Sequence, residues 1–131
     1  MITIKQDVYH DIIAHAWKDL PNEACGYLVG ENNIIKQNYR LTNVDKSPTH
    51  FRFNPAEQFA VVKNVRKDGL EILANYHSHP ETLARPSEED IKLAFDPSIL
   101  YFIISLAEEI PVIKAFQIID GGVENIEIQI I

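Results

Sequence analysis

The sequence has little cysteine and no long apolar run. Cys25 is the single cysteine among 131 residues, so no internal disulfide can form. No apolar stretch approaches the roughly 20 residues that a membrane-spanning helix needs. The first residues show neither the charged start nor the long apolar core of a signal peptide. We therefore expect a cytoplasmic protein that does not associate with membranes.

Basic residues are also scarce. The 12 Lys and Arg residues are outnumbered by 19 Asp and Glu residues, which gives a formal net charge of −7. This excess argues against non-specific binding to nucleic acid, so no nucleic-acid partner is expected. The length is that of one domain, and we predict a single domain over residues 1–131. A homodimer is compatible with the sequence, which does not define an oligomeric state.

Hydrophobic periodicity predicts a mixed α/β fold with a sheet of about six strands packed against helices. The helices begin at Asp7, Asn54 and Ser87. The candidate strands are Ile2–Lys5, Cys25–Gly30, Ile34–Arg40, Leu70–His79, Ile99–Leu106, Pro111–Ile119 and Val123–Ile131. The residues predicted to face inward from the second and third helices are Ala56, Phe59, Val62, Val65, Ile91, Ala94 and Phe95.

The segment His77-Ser78-His79-Pro80, which is followed by Ser87 and Asp90, carries the clearest chemical signal. Alternate residues of a strand share a face, so the two histidines point the same way, with Cα atoms roughly 6.5–7 Å apart. Their ring nitrogens can then converge on one metal ion at about 2.0–2.1 Å, with Asp90 as a third ligand. Three protein ligands with a fourth position open to water is the pattern of a catalytic zinc site.

Each half of this pattern has a simpler interpretation. An isolated His-x-His occurs by chance, and a lone histidine is more often a surface or hydrogen-bonded core residue. Ser-x-x-Asp ahead of Ile91 is a helix capping box, in which Asp90 turns back to the Ser87 amide. The two roles can coexist, since Ser87 can cap the helix while the Asp90 carboxylate faces a metal.

Taken together, these residues resemble the signature of the JAMM (MPN-plus) zinc metalloproteases. That signature is an upstream glutamate, then His-x-His-Pro, six residues and Ser-x-x-Asp. Six residues separate Pro80 from Ser87, so the spacing matches. Glu23, at the start of Glu23-Ala24-Cys25-Gly26, matches the upstream glutamate of the small stand-alone bacterial and archaeal members.

The resemblance implies a JAMM/MPN, cytidine-deaminase-like fold and a zinc-dependent peptidase or isopeptidase. His77, His79 and Asp90 would bind one Zn²⁺ ion. Glu23 would be the general base, and Ser87 would donate a hydrogen bond to the oxyanion of the tetrahedral intermediate. The implied substrate is the C-terminal glycine end of a ubiquitin-like or sulfur-carrier protein.

Two other functions remain open at this stage. Some JAMM relatives keep the fold but lose the metal ligands and serve as scaffold subunits. Cys25 could instead be a nucleophile paired with His77, although a free cysteine is more often a small buried hydrophobe. Glu23, taken alone, would be an exposed charge between a helix and a strand.

Overall fold

A computed structural model describes residues 1–131 and contains eight strands and three helices. No helix combines the length and hydrophobicity that crossing a membrane requires. The helices are α1 (Gln6–Lys18), α2 (Pro55–Lys67) and α3 (Glu88–Lys92). The strands are β1 (Ile2–Ile4), β2 (Cys25–Glu31), β3 (Ile34–Leu41), β4 (Glu71–His79), β5 (Leu100–Ser105), β6 (Val112–Ile119), β7 (Gly122–Ile126) and β8 (Ile128–Ile130).

All eight strands belong to one mixed sheet, in the order β7-β6-β5-β4-β2-β3-β1-β8. The pairs β4–β5, β1–β3 and β1–β8 are parallel, and the remaining pairs are antiparallel. Strand β5 lies inside the sheet between β4 and β6, and five of its six residues are buried. The prediction of a central strand buried on both faces is therefore confirmed.

The sheet curls around α1. Strands β7 and β8 stand at opposite edges of the sheet, yet only Glu127 separates them along the chain. The two edges must therefore come close together, and α1 packs its buried residues inside the curl. The core between α1 and the sheet includes Val8, Ile12, Ala16, Leu28, Ile35, Tyr76, Phe102 and Ile104.

The prediction of one strand from Val123 to Ile131 is wrong, because this segment changes its partner half-way. Ile126 pairs with Ala115 of β6, whereas Ile128 pairs with Ile2 of β1 at the other edge. Isoleucines continue to alternate with polar residues across the break, so the sequence has no signal for it. This division turns the seven candidate strands into the eight observed, whereas a sheet of about six was predicted.

The predicted inward faces of the shorter helices also need correction. Helix α2 begins as expected, with the Asn54 side chain accepting the N–H groups of the first turn. Val65 is buried as predicted, but so is Val61, which was not predicted to face inward, while Ala56 is exposed and Phe59 is 67% exposed. Helix α3 ends at Lys92 and not at Phe95, so Phe95 leaves the inward face and is 81% exposed.

The face of the sheet opposite α1 carries two apolar clusters, with β4 between them. One cluster packs α2 against β2 and β3, and includes Cys25, Tyr27, Val29, Leu41, Val61 and Val65. The other lies on β5 and β6 and includes Ala84, Tyr101, Ile103, Phe116 and Ile118. Full burial of each large apolar side chain contributes about 1.5–3 kcal/mol. The two clusters therefore stabilise the strands on either side of the C-terminal end of β4.

Candidate metal centre and catalytic cleft

Three side chains converge where β4 ends. The Nε2 atoms of His77 and His79 lie 3.1 Å apart, and Asp90 Oδ2 lies 3.1 Å from each of them. Ligand atoms placed 2.0–2.1 Å from a tetrahedral metal would be about 3.3–3.4 Å apart. A small expansion of the observed triangle thus accommodates one ion, and the donor set of two imidazoles and a carboxylate suits Zn²⁺.

The two histidine rings are held in different ways. His79 Nδ1 lies 2.8 Å from the carbonyl oxygen of Leu83, so it donates to that oxygen and leaves Nε2 as the acceptor. His77 Nδ1 is buried without a hydrogen-bond partner. The His77 ring instead stacks on Phe51, with 4.7 Å between the ring centroids and 24° between their planes. Packing therefore orients one ligand, and a backbone carbonyl orients the other.

Asp90 performs both of the roles that the sequence allowed. Ser87 Oγ accepts the Asp90 N–H at 3.0 Å, and Asp90 Oδ2 accepts the Ser87 N–H at 2.9 Å, which completes the capping box. The same Oδ2 atom faces both histidines. The capping box thus orients the Asp90 carboxylate, on a helix of five residues, toward β4.

The charges in this cluster favour metal binding. Burial alone would raise the pKa of Asp90, but hydrogen bonds from His77 and His79 outweigh it and hold that pKa below its usual value. Burial lowers the pKa of His77, which keeps its ring neutral. For His79, burial is outweighed by Asp90 and the Leu83 carbonyl, which raise its pKa. The site therefore contains an ionised carboxylate and at least one neutral imidazole at neutral pH.

Glu23 lies beside this cluster, in the irregular segment between α1 and β2. The residue is 3% exposed, and its Oε1 atom is buried without a hydrogen-bond partner. Burial raises the pKa of this carboxyl to about 8; His79 opposes the shift and Asp90 adds to it. The expectation of an exposed charge is thus wrong, and a carboxyl group whose pKa lies this close to neutrality is suited to exchanging a proton at neutral pH.

Glu23, His79 and Ser87 line one cavity of about 230 Å³. The remaining walls come from the segment before α2 and from the loop after β4, namely Pro48, Thr49, Glu81 and Thr82. None of these residues carries a large apolar side chain. The structure therefore brings the base and the serine implied by the signature to the same cleft, beside the three candidate ligands.

Cys25 is not placed to react. Its side chain is fully buried among the apolar residues under α2, and Sγ lies 3.9 Å from the Leu41 carbonyl oxygen. Burial raises the pKa of this thiol to about 12, so the thiolate is absent at neutral pH. The structure thus contradicts the alternative of a cysteine hydrolase that uses Cys25.

Several residues that shape the site were not predicted from the sequence. Phe51 covers the His77 ring, the Leu83 carbonyl orients His79, and the Asn43 side chain donates to the Glu23 carbonyl at 3.1 Å. Phe51 and Asn43 belong to a segment that the motif does not include, whereas Leu83 lies in the motif's six-residue spacer, where any residue is allowed. Only Asn43 had a weak signal, as an amide within the polar stretch after β3.

The curled sheet and the cleft at the end of β4 agree with the JAMM class of metallopeptidase domains. The chain belongs to the family described as prokaryotic homologs of the JAB domain, whose family model matches residues 5–119. This membership confirms the resemblance that the motif spacing suggested.

Similar proteins support the same class. The chain is 31% identical over 134 residues to the CysO-cysteine peptidase of Mycobacterium tuberculosis, covering 100% of this chain and 92% of that protein. It is 32% identical over 95 residues to a probable TtuB-protein conjugate cleaving protease of Thermus thermophilus, covering 72% and 64%. The solution structure of protein DSY2949 from Desulfitobacterium hafniense has a TM-score of 0.91 and 48% identity, covering 100% and 93%. The chain is a hydrolase of the peptidase type.

Proposed function

We propose that this chain is a zinc-dependent peptidase that cleaves the amide bond after the C-terminal glycine of a ubiquitin-like or sulfur-carrier protein. The observation that carries the proposal is the convergence of His77, His79 and Asp90 at 3.1 Å beside the buried carboxyl of Glu23. A buried carboxyl without a partner at Oε1 is costly to keep, which favours a catalytic role for it.

His77, His79 and Asp90 would hold the zinc ion. Bound there, zinc supplies the Lewis acidity that activates water and polarises the scissile carbonyl. Three protein ligands leave one position free, as a catalytic site requires and a closed structural site does not. His79 donates through Nδ1 to the Leu83 carbonyl and can therefore bind the ion through Nε2, and burial favours the neutral form of His77, which a metal ligand must have.

Glu23 would move the proton in this reaction. Its carboxylate takes a proton from the attacking water and delivers it to the nitrogen of the departing amine, so the residue ends the cycle as it began. The raised pKa of Glu23, about 8, brings its proton affinity toward that of a group working at neutral pH. The residue that carries the proton cannot be one of the three zinc ligands, because its carboxyl group must reach the attacking water and not the ion.

Ser87 would stabilise the oxygen of the scissile carbonyl. Its Oγ atom accepts the Asp90 N–H as part of the helix cap, which leaves the hydroxyl hydrogen free to donate. Because Ser87 lines the cleft with Glu23, this hydrogen is available to a carbonyl oxygen that gains negative charge. The helix cap thus fixes the position of the Ser87 hydroxyl and leaves its hydrogen free to donate.

The cleft favours a slim substrate. The walls of the cavity that contains Glu23 are small or polar residues. An extended tail that ends in glycine needs no pocket for side chains. The names of the M. tuberculosis and T. thermophilus relatives refer to an amino-acid conjugate and a protein conjugate of carrier proteins. The free thiol of Cys25 fits the reducing cytoplasm, where we place the reaction.

Cleavage of defined conjugates tests this function. The zinc-loaded protein is incubated with a ubiquitin-like carrier whose C-terminal glycine is joined either to a free amino acid or to a lysine ε-amine, and the products are identified by mass. We expect the intact carrier to be released, activity to disappear with a chelator, and zinc to restore it. An absence of cleavage of every conjugate by a protein with one bound zinc would contradict the proposal and favour a scaffold.

A further inference from the structure

The position of Glu23 depends on its backbone. The side chain gives little anchorage, because Oε1 has no hydrogen-bond partner. The residue also lies in an irregular segment before β2, so no helix or sheet ladder holds it. A proton carrier must nevertheless be placed within a fraction of an ångström. Some other group must therefore fix this segment.

Both backbone groups of Glu23 and the N–H of Ala24 have hydrogen-bond partners from other segments. The Glu23 N–H donates to the Ser47 carbonyl at 2.8 Å, and the Glu23 carbonyl accepts from Asn43 Nδ2 at 3.1 Å. The next N–H, that of Ala24, donates to Ser78 Oγ at 2.7 Å. Two of these three contacts come from the segment 43–53, which lies between β3 and α2.

Asn43 is the centre of that segment. Its Nδ2 atom donates to the carbonyls of Glu23 and His50, at 3.1 and 3.0 Å. Its Oδ1 atom accepts the backbone N–H groups of Asp45 and Arg52, at 3.1 and 3.2 Å. The amide thus uses both donors and both acceptor lone pairs, and the residue is only 6% exposed. A surface asparagine would have no need of such complete pairing.

We infer that Asn43 is a positioning residue for the general base: it fixes the Glu23 backbone and joins it to the cleft wall formed by Pro48 and Thr49. The inference rests on the proposed function, in which Glu23 carries the proton. Asn43 is not itself a catalytic residue, because its contact with Glu23 is to the backbone carbonyl and not to the carboxyl group. Its action passes through the placement of the carboxylate.

Asparagine suits this position better than its close relatives. Aspartate would keep the acceptors for the N–H groups of Asp45 and Arg52, but it would turn a lone pair toward the Glu23 carbonyl where a donor is needed. Alanine would leave all four backbone groups without a partner. Asn43→Asp therefore breaks the contact with the base while it keeps the acceptor half of the network.

The first test compares Asn43→Asp with Asn38→Ala. Asn38 lies on β3 and donates to Asp11 Oδ2 at 2.7 Å, away from the cleft, so it is a matched control. We expect Asn43→Asp to lower kcat on the order of 10–100-fold with little change in KM and with one zinc still bound. Asn38→Ala should keep the wild-type kcat. A wild-type kcat in folded Asn43→Asp would overturn the inference.

A double-mutant cycle separates positioning from a general structural effect. In a Glu23→Gln background, Asn43→Asp should lower the remaining single-turnover rate by less than about twofold, because the base through which Asn43 acts is already lost. An equal loss in both backgrounds would contradict the inference. If the wild type itself cleaves no conjugate, the proposed function fails, and that result is distinct from a failure of Asn43 alone.

Amide hydrogen exchange provides a reading that does not depend on activity. In Asn43→Asp and in the second variant Asn43→Ala, the Glu23 amide should exchange about tenfold faster or more, while amides of β5 remain protected. If Asn43→Asp does not fold, Asn43→Ala is used for both measurements. Unchanged exchange at Glu23 in a folded variant would show that Asn43 does not hold the base.

Discussion

The hydroxyl of Ser78 accepts the backbone N–H of Ala24 at 2.7 Å, and the Ser78 N–H donates to the Ala24 carbonyl at 2.9 Å. Ser78 lies between the two candidate ligands and points to the other side of the strand. It thereby joins β4 to the residue that follows Glu23. The His-Ser-His-Pro motif thus sets the distance between the metal site and the base, in addition to supplying two ligands.

Replacing Ser78 by alanine should destabilise the protein. The variant leaves the N–H of Ala24 buried without an acceptor, and such a loss costs about 1–3 kcal/mol. Ser78 is fully buried, so water cannot replace the hydroxyl without rearrangement. Denaturant unfolding of the metal-free protein measures the change. Ser98→Ala, at an exposed serine, should stay within about 0.5 kcal/mol of the wild type; equal stability of Ser78→Ala would contradict the role of this hydrogen bond.

The metal assignment predicts the effect of removing a ligand. His77→Ala and His79→Ala should each lose stoichiometric zinc, because two remaining ligands bind far more weakly than three. His10, an exposed histidine of α1, is a matched control, and His10→Ala should keep one zinc per chain. The zinc content of each variant, measured after dialysis, tests this prediction. Full zinc content in both ligand variants would show that the ion binds elsewhere.

A buried histidine outside the site should make stability depend on pH. His15 lies 2.7 Å from the Tyr76 hydroxyl and 3.1 Å from Asp19 Oδ2, and burial lowers its pKa below 6.5 despite the neighbouring Asp19. The unfolded chain, with an ordinary histidine pKa of about 6.5, binds the proton more readily. The contribution of His15 to stability is thus complete at pH above about 6.5 and is lost as the pH falls below that value.

Unfolding free energies between pH 7.5 and pH 5 check this dependence. The stability of the wild type relative to His15→Gln should fall over that interval, because the variant lacks the titrating group. His77, whose pKa is also lowered, contributes with the same sign in the metal-free protein, whereas Glu23 and His79, whose pKa values are raised, contribute with the opposite sign; all three are present in both proteins and cancel in the comparison. An identical slope in His15→Gln and wild type would refute the contribution of His15.

The Cys25 thiol should be unreactive in the folded protein. Its full burial and a pKa of about 12 leave no accessible thiolate. A thiol-alkylating reagent should therefore neither modify the native zinc-loaded protein nor reduce its peptidase activity, whereas denaturant should expose one reactive thiol. Rapid loss of native activity on alkylation would restore the cysteine mechanism.

The sequence predicted the parts of the molecule that rest on local patterns. The alternation before His77 placed both histidines on one face of a strand, and Ser-x-x-Asp predicted the capping box that the structure contains. The run of apolar residues that became β5 was expected to be central and is. Each of these features depends on residues only a few positions apart, so the local sequence is sufficient to predict it.

Features that depend on distant segments could not be predicted. Ile128 belongs to a different edge of the sheet from Ile126, although both fit the same alternation. Phe95 would face the core only if α3 continued past Lys92. The contact of Asn43 with the Glu23 carbonyl requires knowledge of which backbone groups lie nearby in the fold, because 20 positions separate the two residues. In each case tertiary packing, and not local preference, decides the outcome.

The most direct test of the account measures zinc content and single-turnover cleavage on the same sample of Glu23→Gln. Glutamine keeps the size of the side chain but cannot accept the proton, and Glu23 is not one of the three converging ligands. We predict one bound zinc per chain and a rate lowered by a factor of about 10²–10⁴. A variant that binds zinc and cleaves the conjugate at the wild-type rate would contradict the account.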